Sequence, residues 1–132
     1  MTPLAYGKQA WVMGLVFAPD GTLYDSQAAL HPSPVGRPMT VAGTESRPIP
    51  IPGLGKVALL PCFDDVSSRP SRLAGKAGAD VLLSIANDGL FRGTNHPALH
   101  MMRARLRAVE TGKYLVRCIP NEGSAVIDPG GG

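Results

Sequence analysis

Strand-length apolar runs alternate with helical periodicity through the second half of this sequence. Residues 57–60 form a continuous apolar run, typical of a strand buried on both faces of a sheet, and 81–86, apolar except for Ser84, would be the next buried strand. Between them, residues 66–78 predict a helix that ends at Gly78. The side chains that we expect to face inward from this helix are Leu73, Ala74 and Ala77. This alternation predicts an α/β fold.

The strongest helical pattern covers residues 97–111. Pro97 suits the first turn of a helix, and Gly112 suits its end. Apolar side chains recur there at i, i+3, i+7 and i+10, and we expect this stripe to be buried: Leu99, Met102, Leu106 and Val109. Two further strands are predicted after it, at 114–118 and 124–127.

The first half of the sequence predicts a hairpin followed by a loop. The apolar run 10–17 ends at the Pro-Asp-Gly tripeptide 19–21, a turn sequence, and 22–24 would be the returning strand. Residues 31–55 hold six of the 13 prolines, which excludes a helix and predicts a long surface loop with extended segments. We interpret residues 1–132 as a single domain.

Composition excludes several classes of protein. The net charge is only +3 and aromatic residues make up 5% of the chain, so the basic stripe of a nucleic-acid-binding protein is missing. The longest apolar runs, 12–18 and 81–86, are too short to cross a membrane, and no signal-peptide pattern begins the sequence. Two cysteines make no disulfide framework. The chain by itself is therefore expected to be soluble.

Cys62 is the leading candidate for chemistry. It follows a predicted buried strand and precedes a predicted helix, and functional groups of α/β sheets gather at such strand ends. A helix N-terminus would lower the pKa of its thiol and offer N–H groups to an oxyanion. The alternative is a buried structural cysteine, which is the preferred interpretation of Cys118 inside its strand.

Other polar residues have a structural and a functional interpretation. His96 and His100 have the i, i+4 spacing of a zinc pair, but no third ligand is evident, so we predict no metal and no cofactor. Arg103, Arg107 and Glu110 predict a salt-bridge network on one helix face. The Asn-Asp pair 87–88 could form an Asx turn or line a pocket.

Four collinear segments resemble the apolipoprotein N-acyltransferase family of the nitrilase (carbon–nitrogen hydrolase) superfamily. Residues 60–66 (Leu-Pro-Cys-Phe-Asp-Asp-Val) look like its Cys-Tyr-Glu-Asp nucleophile segment, and 78–91 look like its Gly-Ala-Asp…Asn-Asp-Ala-Trp-Phe strand and loop. His100 with 103–117 is similar to its His…Ala-Arg-x-Arg-Ala-x-Glu segment, and 124–129 match the strand after it.

The resemblance implies a fold and an activity. The fold would be part of a nitrilase-type α-β-β-α sandwich, a mixed sheet with flanking helices. A Glu-Lys-Cys triad of that family transfers an acyl chain from a phospholipid to a lipoprotein through a thioester, on the periplasmic side of the bacterial inner membrane. By position Cys62 would be the nucleophile, and Asn87, Asp88 and Phe91 would contact substrate.

The chain also departs from the family pattern. The lysine is expected in a Tyr-x-Lys-x-His-Leu segment, but residues 24–32 contain none, and the glutamate belongs upstream of Met1. Asp64 replaces a glutamate and Leu90 a tryptophan. We therefore expect a fragment of a longer membrane protein or a degenerate copy, with little activity alone. The alternatives are a soluble carbon–nitrogen hydrolase acting on a small amide, and a non-catalytic domain that binds or pairs with a partner.

Overall fold

The computed structural model describes residues 9–33, 40–120 and 123–132, and the backbone of residues 3–6. An antiparallel sheet contains β1 (Pro3–Tyr6), β2 (Gln9–Phe17) and β3 (Leu23–Ala28) in that order. A second sheet has the order β4 (Ile49–Ile51), β5 (Gly55–Pro61), β6 (Val81–Ile85), β7 (Tyr114–Cys118) and β8 (Ala125–Ile127). Its three central strands are parallel and its two edge strands are antiparallel. The helices are α1 (Ser68–Lys76) and α2 (His96–Thr111).

The five-stranded sheet lies between two different layers. Alternate residues of its strands, such as Ala58, Leu60 and Leu82, pack with α1 and α2 in one apolar cluster. The residues between them, Val57 and Leu59 among them, form a second cluster on the opposite face, which also includes Val16 of β2. The result is a helix–sheet–sheet sandwich, and the predicted α/β class is confirmed.

The predicted hairpin is confirmed and extends further than expected. Gly21 has φ 84°, a conformation open to glycine, and Asp20 Oδ1 accepts a hydrogen bond of 2.9 Å from the Thr22 amide. The returning strand β3 continues to Ala28, beyond the predicted 22–24, because it pairs with β2 back to Met13.

The Pro-rich segment 31–55 is tied to the sandwich rather than lying free on the surface, in its described part. It contains β4, whose Ile49 is fully buried and packs in the sheet-on-sheet cluster. The Gln27 side chain donates to the Glu45 carbonyl (2.5 Å) and accepts from the Arg47 amide (3.2 Å). Residues 34–39 of the predicted loop lie outside the described residues.

Helix α2 has the predicted bounds within one residue, but the prediction of its buried face was wrong. Side chains expected in the core are about half-exposed: Leu99, Met102, Leu106 and Val109. The face toward the sheet consists of His100, Ala104, Arg107 and Ala108. Small alanines let the helix approach the sheet closely, and the two polar residues have buried partners.

The burial of two other residues, Ala77 and Cys118, also differs from the prediction. Helix α1 buries Ala74 and half-buries Leu73, whereas Ala77 is exposed at the C-cap. Cys118, expected to be packed in its strand, is exposed. Neither described helix is long and apolar enough to cross a membrane.

The α2 face generates a stability prediction. Leu106→Ser should change the free energy of unfolding by no more than about 0.5 kcal/mol, because Leu106 is 53% exposed. Ala104→Leu should lower it by about 1–3 kcal/mol, because Ala104 is fully buried against the sheet and has no room for added methylenes. Urea unfolding of both variants measures these changes. A larger loss of stability for Leu106→Ser than for Ala104→Leu would show that the apolar stripe, and not the alanine face, packs in the core.

Candidate active site

Cys62 has an unusual backbone at the end of a buried strand. β5 ends at Pro61, and residues Cys62–Asp65 form a 3-10 turn, here named the Cys62 turn. Cys62 has φ 58°, and no other described non-glycine residue has positive φ. Such a conformation costs on the order of 1–3 kcal/mol and clusters at functional sites. The half-buried thiol is free, as is that of Cys118.

The residues predicted to accompany Cys62 follow the neighbouring strand. Parallel pairing of Pro61 with Ile85 brings the ends of β5 and β6 side by side. Residues Asp88–Phe91 form a second 3-10 turn, the Asp88 turn, and Asn87 caps it by accepting a hydrogen bond of 2.9 Å from the Gly89 amide. The Asx-turn interpretation of Asn87 therefore holds in the structure, with its side chain exposed.

Phe91 belongs to an aromatic group beside the Cys62 turn. Its ring stacks on that of His96 with centroids 3.9 Å apart and lies 6.4 Å from the ring of Phe63, the residue after Cys62. Phe63 also stacks on His96 at 5.6 Å. The structure thus places Phe91 beside the Cys62 turn, where the rings form an aromatic wall. That Phe91 contacts substrate stays a prediction.

Four buried charged residues connect the two turns to α2 and β7. His100 Nε2 lies 2.5 Å from Asp65 Oδ1, and its Nδ1 lies 2.8 Å from Asp88 Oδ1. The Arg117 guanidinium spans both acids, with Nε 3.5 Å from Asp65 and Nη2 3.2 Å from Asp88. The Ser84 hydroxyl donates to Asp65 Oδ2 at 2.6 Å. We name Asp65, Asp88, His100 and Arg117 the buried ion cluster.

The buried ion cluster is electrically balanced when His100 is an imidazolium. Both of its ring nitrogens face carboxylate oxygens, so both are needed as donors. Burial by itself would lower the pKa of His100, but the hydrogen bond and charge of Asp65, with Asp88, outweigh it and raise that pKa above its ordinary value. Two carboxylates then face two cations.

Asp64 links the Cys62 turn to the other sheet. Its carboxylate accepts hydrogen bonds from the backbone amides of Leu30 (3.0 Å) and His31 (2.6 Å), just beyond β3. Burial raises the pKa of Asp64 to about 7, although these two hydrogen bonds act to lower it. Asp64 therefore connects the two sheets by hydrogen bonds.

The environment of Cys62 does not activate its thiol. Burial raises the pKa of Cys62, and the charges of Asp65, Asp64 and Asp88 raise it further, against a lowering hydrogen bond at Phe63. The expectation that a helix N-terminus would lower the pKa was therefore wrong. Burial is the largest cause of the rise, and the neighbouring aspartates act in the same direction.

The two histidines of the possible zinc pair do acquire a third neighbour. Ligand atoms of Asp88, His96 and His100 all lie within 4.8 Å of one another, and His96 Nε2 is buried without a hydrogen-bond partner. Both nitrogens of His100 already face carboxylates, however, so a metal ion would have to displace one of these contacts. That no metal binds stays a prediction.

A cavity of about 550 Å³ opens beside the Asp88 turn. Its lining includes Asp88, Arg92, Thr94, Pro97 and Pro120. Cys62 is not among the lining residues, so Asp88 is the one predicted site residue that reaches this cavity.

Sequence reasoning missed the buried ion cluster as a unit. It singled out Asp88 and His100 for other reasons and did not consider Ser84 or Arg117. The sequence did contain a signal for them, because Ser84 is the polar residue of an otherwise apolar β6 and Arg117 that of β7. Both lie on the side of the sheet that faces the helices. A polar side chain in such a run predicts a buried partner.

The chain was compared with known proteins. The model of the carbon–nitrogen hydrolase family matches residues 2–132. Apolipoprotein N-acyltransferases of Shewanella oneidensis and Gloeobacter violaceus are 38% and 43% identical over 76 residues, 58% of this chain, but only 15% and 14% of those proteins. That of Bradyrhizobium diazoefficiens is 36% identical over 92 residues, 69% of this chain and 17% of the relative. The chain thus spans a small part of these relatives.

Solved structures share the fold at low sequence identity. The carbon–nitrogen hydrolase of Helicobacter pylori G27 has a TM-score of 0.74 at 19% identity, covering 96% of this chain and 52% of that one. Saccharomyces cerevisiae Nit3, of the nitrilase superfamily, gives 0.74 at 24%, covering 98% and 50%. An amidase from Nesterenkonia sp. AN1 gives 0.76 at 23%, covering 98% and 54%, and carries acrylamide added at its active-site cysteine.

The buried ion cluster generates a pH prediction. His100→Ala should lower the free energy of unfolding by about 3–5 kcal/mol at pH 6, because it leaves two buried carboxylates without their shared cation. Since the folded pKa is raised, the contribution of His100 is complete below its unfolded pKa of about 6.5 and is lost as pH rises through the folded value. Urea unfolding between pH 5 and 9 measures both effects.

His96→Gln is the matched control for this series. Burial lowers the pKa of His96, so its contribution has the opposite pH dependence and its replacement should leave the decline at high pH intact. Because the pKa of Asp64 is raised to about 7, its contribution to stability also falls as pH rises, at a lower pH than that of His100 and in every variant. A His100→Ala protein with the same stability loss at pH 6 and pH 9 would contradict a charged His100.

Cys62 and Cys118 should differ in thiol reactivity. We expect iodoacetamide to alkylate the exposed Cys118 first at pH 8, and Cys62 to react with a pH midpoint above that of an ordinary thiol, because burial and three aspartates raise its pKa. Mass spectrometry of peptides from timed samples measures both rates. Faster modification of Cys62 at neutral pH would show an activating group near it.

Proposed function

Because this chain belongs to the carbon–nitrogen hydrolase family, we propose that Cys62 is the nucleophile of an acyl-transfer centre like that of apolipoprotein N-acyltransferases. The observation that carries the proposal is the positive φ of Cys62, which turns it sharply out of the end of β5. The names of the 36–43% identical relatives support acyl transfer, and the modified cysteine of the Nesterenkonia amidase supports a thiol nucleophile.

The chemistry proceeds through two exchanges at one carbonyl carbon. The Cys62 thiolate attacks an acyl ester, a carbon–sulfur bond forms, and the carbon–oxygen bond breaks as the alcohol departs with a proton. An amine then attacks the thioester, forms the amide and releases the thiol. Each step requires a base for the proton and a donor or cation for the oxyanion.

The described residues around Cys62 supply neither group in free form. Asp64 is committed to two backbone amides, and Asp65 to the buried ion cluster. Neither carboxylate is available to accept a proton from the thiol, and both raise its pKa. We infer that the base is supplied from beyond the described residues of this chain.

The position of the oxyanion cation is occupied by neutral residues on β3. Counting from Tyr24, the motif's lysine falls on Ser26, and one position further lies Gln27. Gln27 pairs with Gly14 of β2, and a Cβ added at Gly14 would lie 3.0 Å from Leu59 and 3.3 Å from Pro61, so Gln27 is on the side of its sheet that faces β5. Ser26 is on the opposite face, so we propose that Gln27 stands in the position of the cation.

The substrates follow from the relatives rather than from the site. The proposed acyl donor is a phospholipid and the acceptor is the N-terminal amine of a lipoprotein, at the periplasmic face of the inner membrane, within a longer protein. Hydrolysis of a small amide is the second candidate, which the likeness to the Nesterenkonia amidase favours. Amide hydrolysis differs from acyl transfer in that water, rather than an amine, accepts the acyl group from the thioester.

The isolated chain should accept an acyl group slowly and not turn over. In a Cys118→Ala background, which removes the more exposed thiol, incubation with a p-nitrophenyl acyl ester should label Cys62 slowly and with at most one acyl group per chain. The described residues around Cys62 offer no free base and no oxyanion cation, and one oxyanion donor alone is worth about 2.7–4 kcal/mol. Mass spectrometry locates the label, and p-nitrophenol release measures turnover. Adding Cys62→Ala to the Cys118→Ala background should abolish the labelling.

Replacing Gln27 tests the missing cation directly. Gln27→Lys should speed acylation of Cys62 by about tenfold or more, because a cation on that face stabilises the oxyanion, whereas Ser26→Lys on the opposite face should not. In the Cys118→Ala background, labelling of another residue in preference to Cys62 would refute the proposed nucleophile. Multiple turnovers by the unmodified chain, abolished in Cys62→Ala, would show that a base and a donor are already present.

A further inference from the structure

The apolar stripe of α2 lies on the side of the helix away from the sheet. Four side chains, each 50–61% exposed, form what we call the outer stripe: Leu99, Met102, Leu106 and Val109. At about 100° per residue, the outer stripe is centred almost opposite the face that is buried against the sheet. The apolar stripe of a helix in a globular protein ordinarily faces the core. An outward stripe therefore indicates contact with something outside the described chain.

Arginines border the outer stripe on both of its long sides. By the same angular count, Arg103 and Arg105 lie about 80° to either side of the centre of the stripe, and both are exposed. Within the described part of the chain, neither side chain pairs with a carboxylate. Their charges are therefore available to an anion outside it.

Helix α1 extends the same positive charge. Arg72 and Lys76 of α1 line a cavity of about 280 Å³ between the helices, together with Glu110 and Thr111 of α2. Glu110 is the one acidic residue of the two helices, and it is already paired with the buried Arg107 at 3.0 Å. The exposed cations of the two helices are Arg69, Arg72, Lys76, Arg103 and Arg105. The helix layer is thus basic, although the whole chain has a net charge of only +3.

We propose that the helix layer docks on an anionic lipid surface, where the outer stripe enters the boundary between headgroups and acyl chains and the exposed cations contact lipid phosphates. A helix with an apolar face and a cationic border lies in the plane of such a surface, with its apolar side chains buried about 5–10 Å deep. Each nearby cation adds attraction to the anionic lipids. The inference rests on the side chains of α1 and α2 and is independent of acyl transfer at Cys62.

Charge and area argue against a second copy of this chain as the occupant. Two copies joined through the outer stripe would bring the bordering arginines of both together, and like charges repel. A stripe about 15 Å long and about 10 Å wide presents on the order of 150 Å². Two such stripes would bury about 300 Å², well short of the roughly 1,200–2,000 Å² of a stable protein complex. A lipid surface needs no matching shape and offers each cation its own phosphate.

Vesicles of ether-linked lipids test the docking, because they hold no acyl ester for Cys62 to attack. The full chain is sedimented with vesicles made of equal parts diether phosphatidylglycerol and diether phosphatidylcholine, and with vesicles of diether phosphatidylcholine alone. We expect binding to the mixed vesicles to be about tenfold tighter or more at about 0.1 M salt. Most of this difference should be lost at about 1 M salt, because the Debye length falls from about 10 Å to about 3 Å. A failure of docking here leaves the nucleophile assignment untouched, and the reverse also holds.

Two pairs of variants locate the contact. Leu106→Asp, in the outer stripe, should weaken binding to the mixed vesicles about tenfold or more, whereas Val126→Asp, on the other side of the five-stranded sheet, should stay within about twofold. Arg103→Gln combined with Arg105→Gln should also weaken binding about tenfold or more, and Arg47→Gln, beside β3, should not. The replaced side chains lie at the surface, so circular dichroism should show unchanged folds.

Four results would overturn the proposal. Binding that is absent, or equal for both kinds of vesicle and insensitive to salt, would exclude an anionic surface as the partner. Equal weakening by Val126→Asp and Leu106→Asp would place the contact outside the helix layer. Self-association of the chain that Leu106→Asp abolishes, without vesicle binding, would assign the outer stripe to a second copy. Tighter binding to soluble polyglutamate than to the mixed vesicles would assign the helix layer to an acidic polypeptide.

Discussion

The contact of His100 with two buried carboxylates determines how the helix layer, the sheet and the candidate nucleophile fit together. Asp65 and Asp88 come from the turns after β5 and β6, Arg117 from β7, and His100 from α2. Removing one member leaves charge stranded in the interior, which is far more costly than the net gain from making the pairs. The turn that holds Cys62 in its positive-φ conformation is therefore fixed from the helix side.

This constraint also explains why the apolar pattern of α2 indicated the wrong face. The rotation of the helix is set by His100, which must reach both acids, and by Arg107, which reaches the Val66 carbonyl. Alanines between them allow close approach to the sheet. The Leu99-to-Val109 stripe lies on the opposite side and stays half-exposed. Periodicity reports that a helix is amphipathic, and a satisfied polar network can reverse which side is inward.

The sequence predicted the local elements better than their contacts. The four strands from 57 to 127, both helices and the Asp-Gly turn follow from apolar runs and from glycine and proline positions. The proposed nucleophile's place after β5 followed from the same reasoning. The partnership of Ser84 and Arg117 with residues 19 and 29 positions away did not, because one sequence gives no measure of which buried polar groups meet. Burial of Ile49 within the Pro-rich segment was hidden too, because one sequence does not show which residues pack against it.

The two sides of the five-stranded sheet therefore differ in how fully their residues are packed and their charges paired. On the helix side, an apolar cluster packs against the sheet, the ion cluster pairs its buried charges, and Cys62 is held in a strained turn. On the other side, Asp64 clamps β3 to that turn, but the packing thins from β5 to β8 and a neutral Gln27 takes the position facing β5. Strain positions the thiol without making it acidic, since burial and three aspartates raise its pKa. We therefore expect reactivity at Cys62 to depend on positive charge supplied from the side of Gln27, since the helix side already has its charges paired.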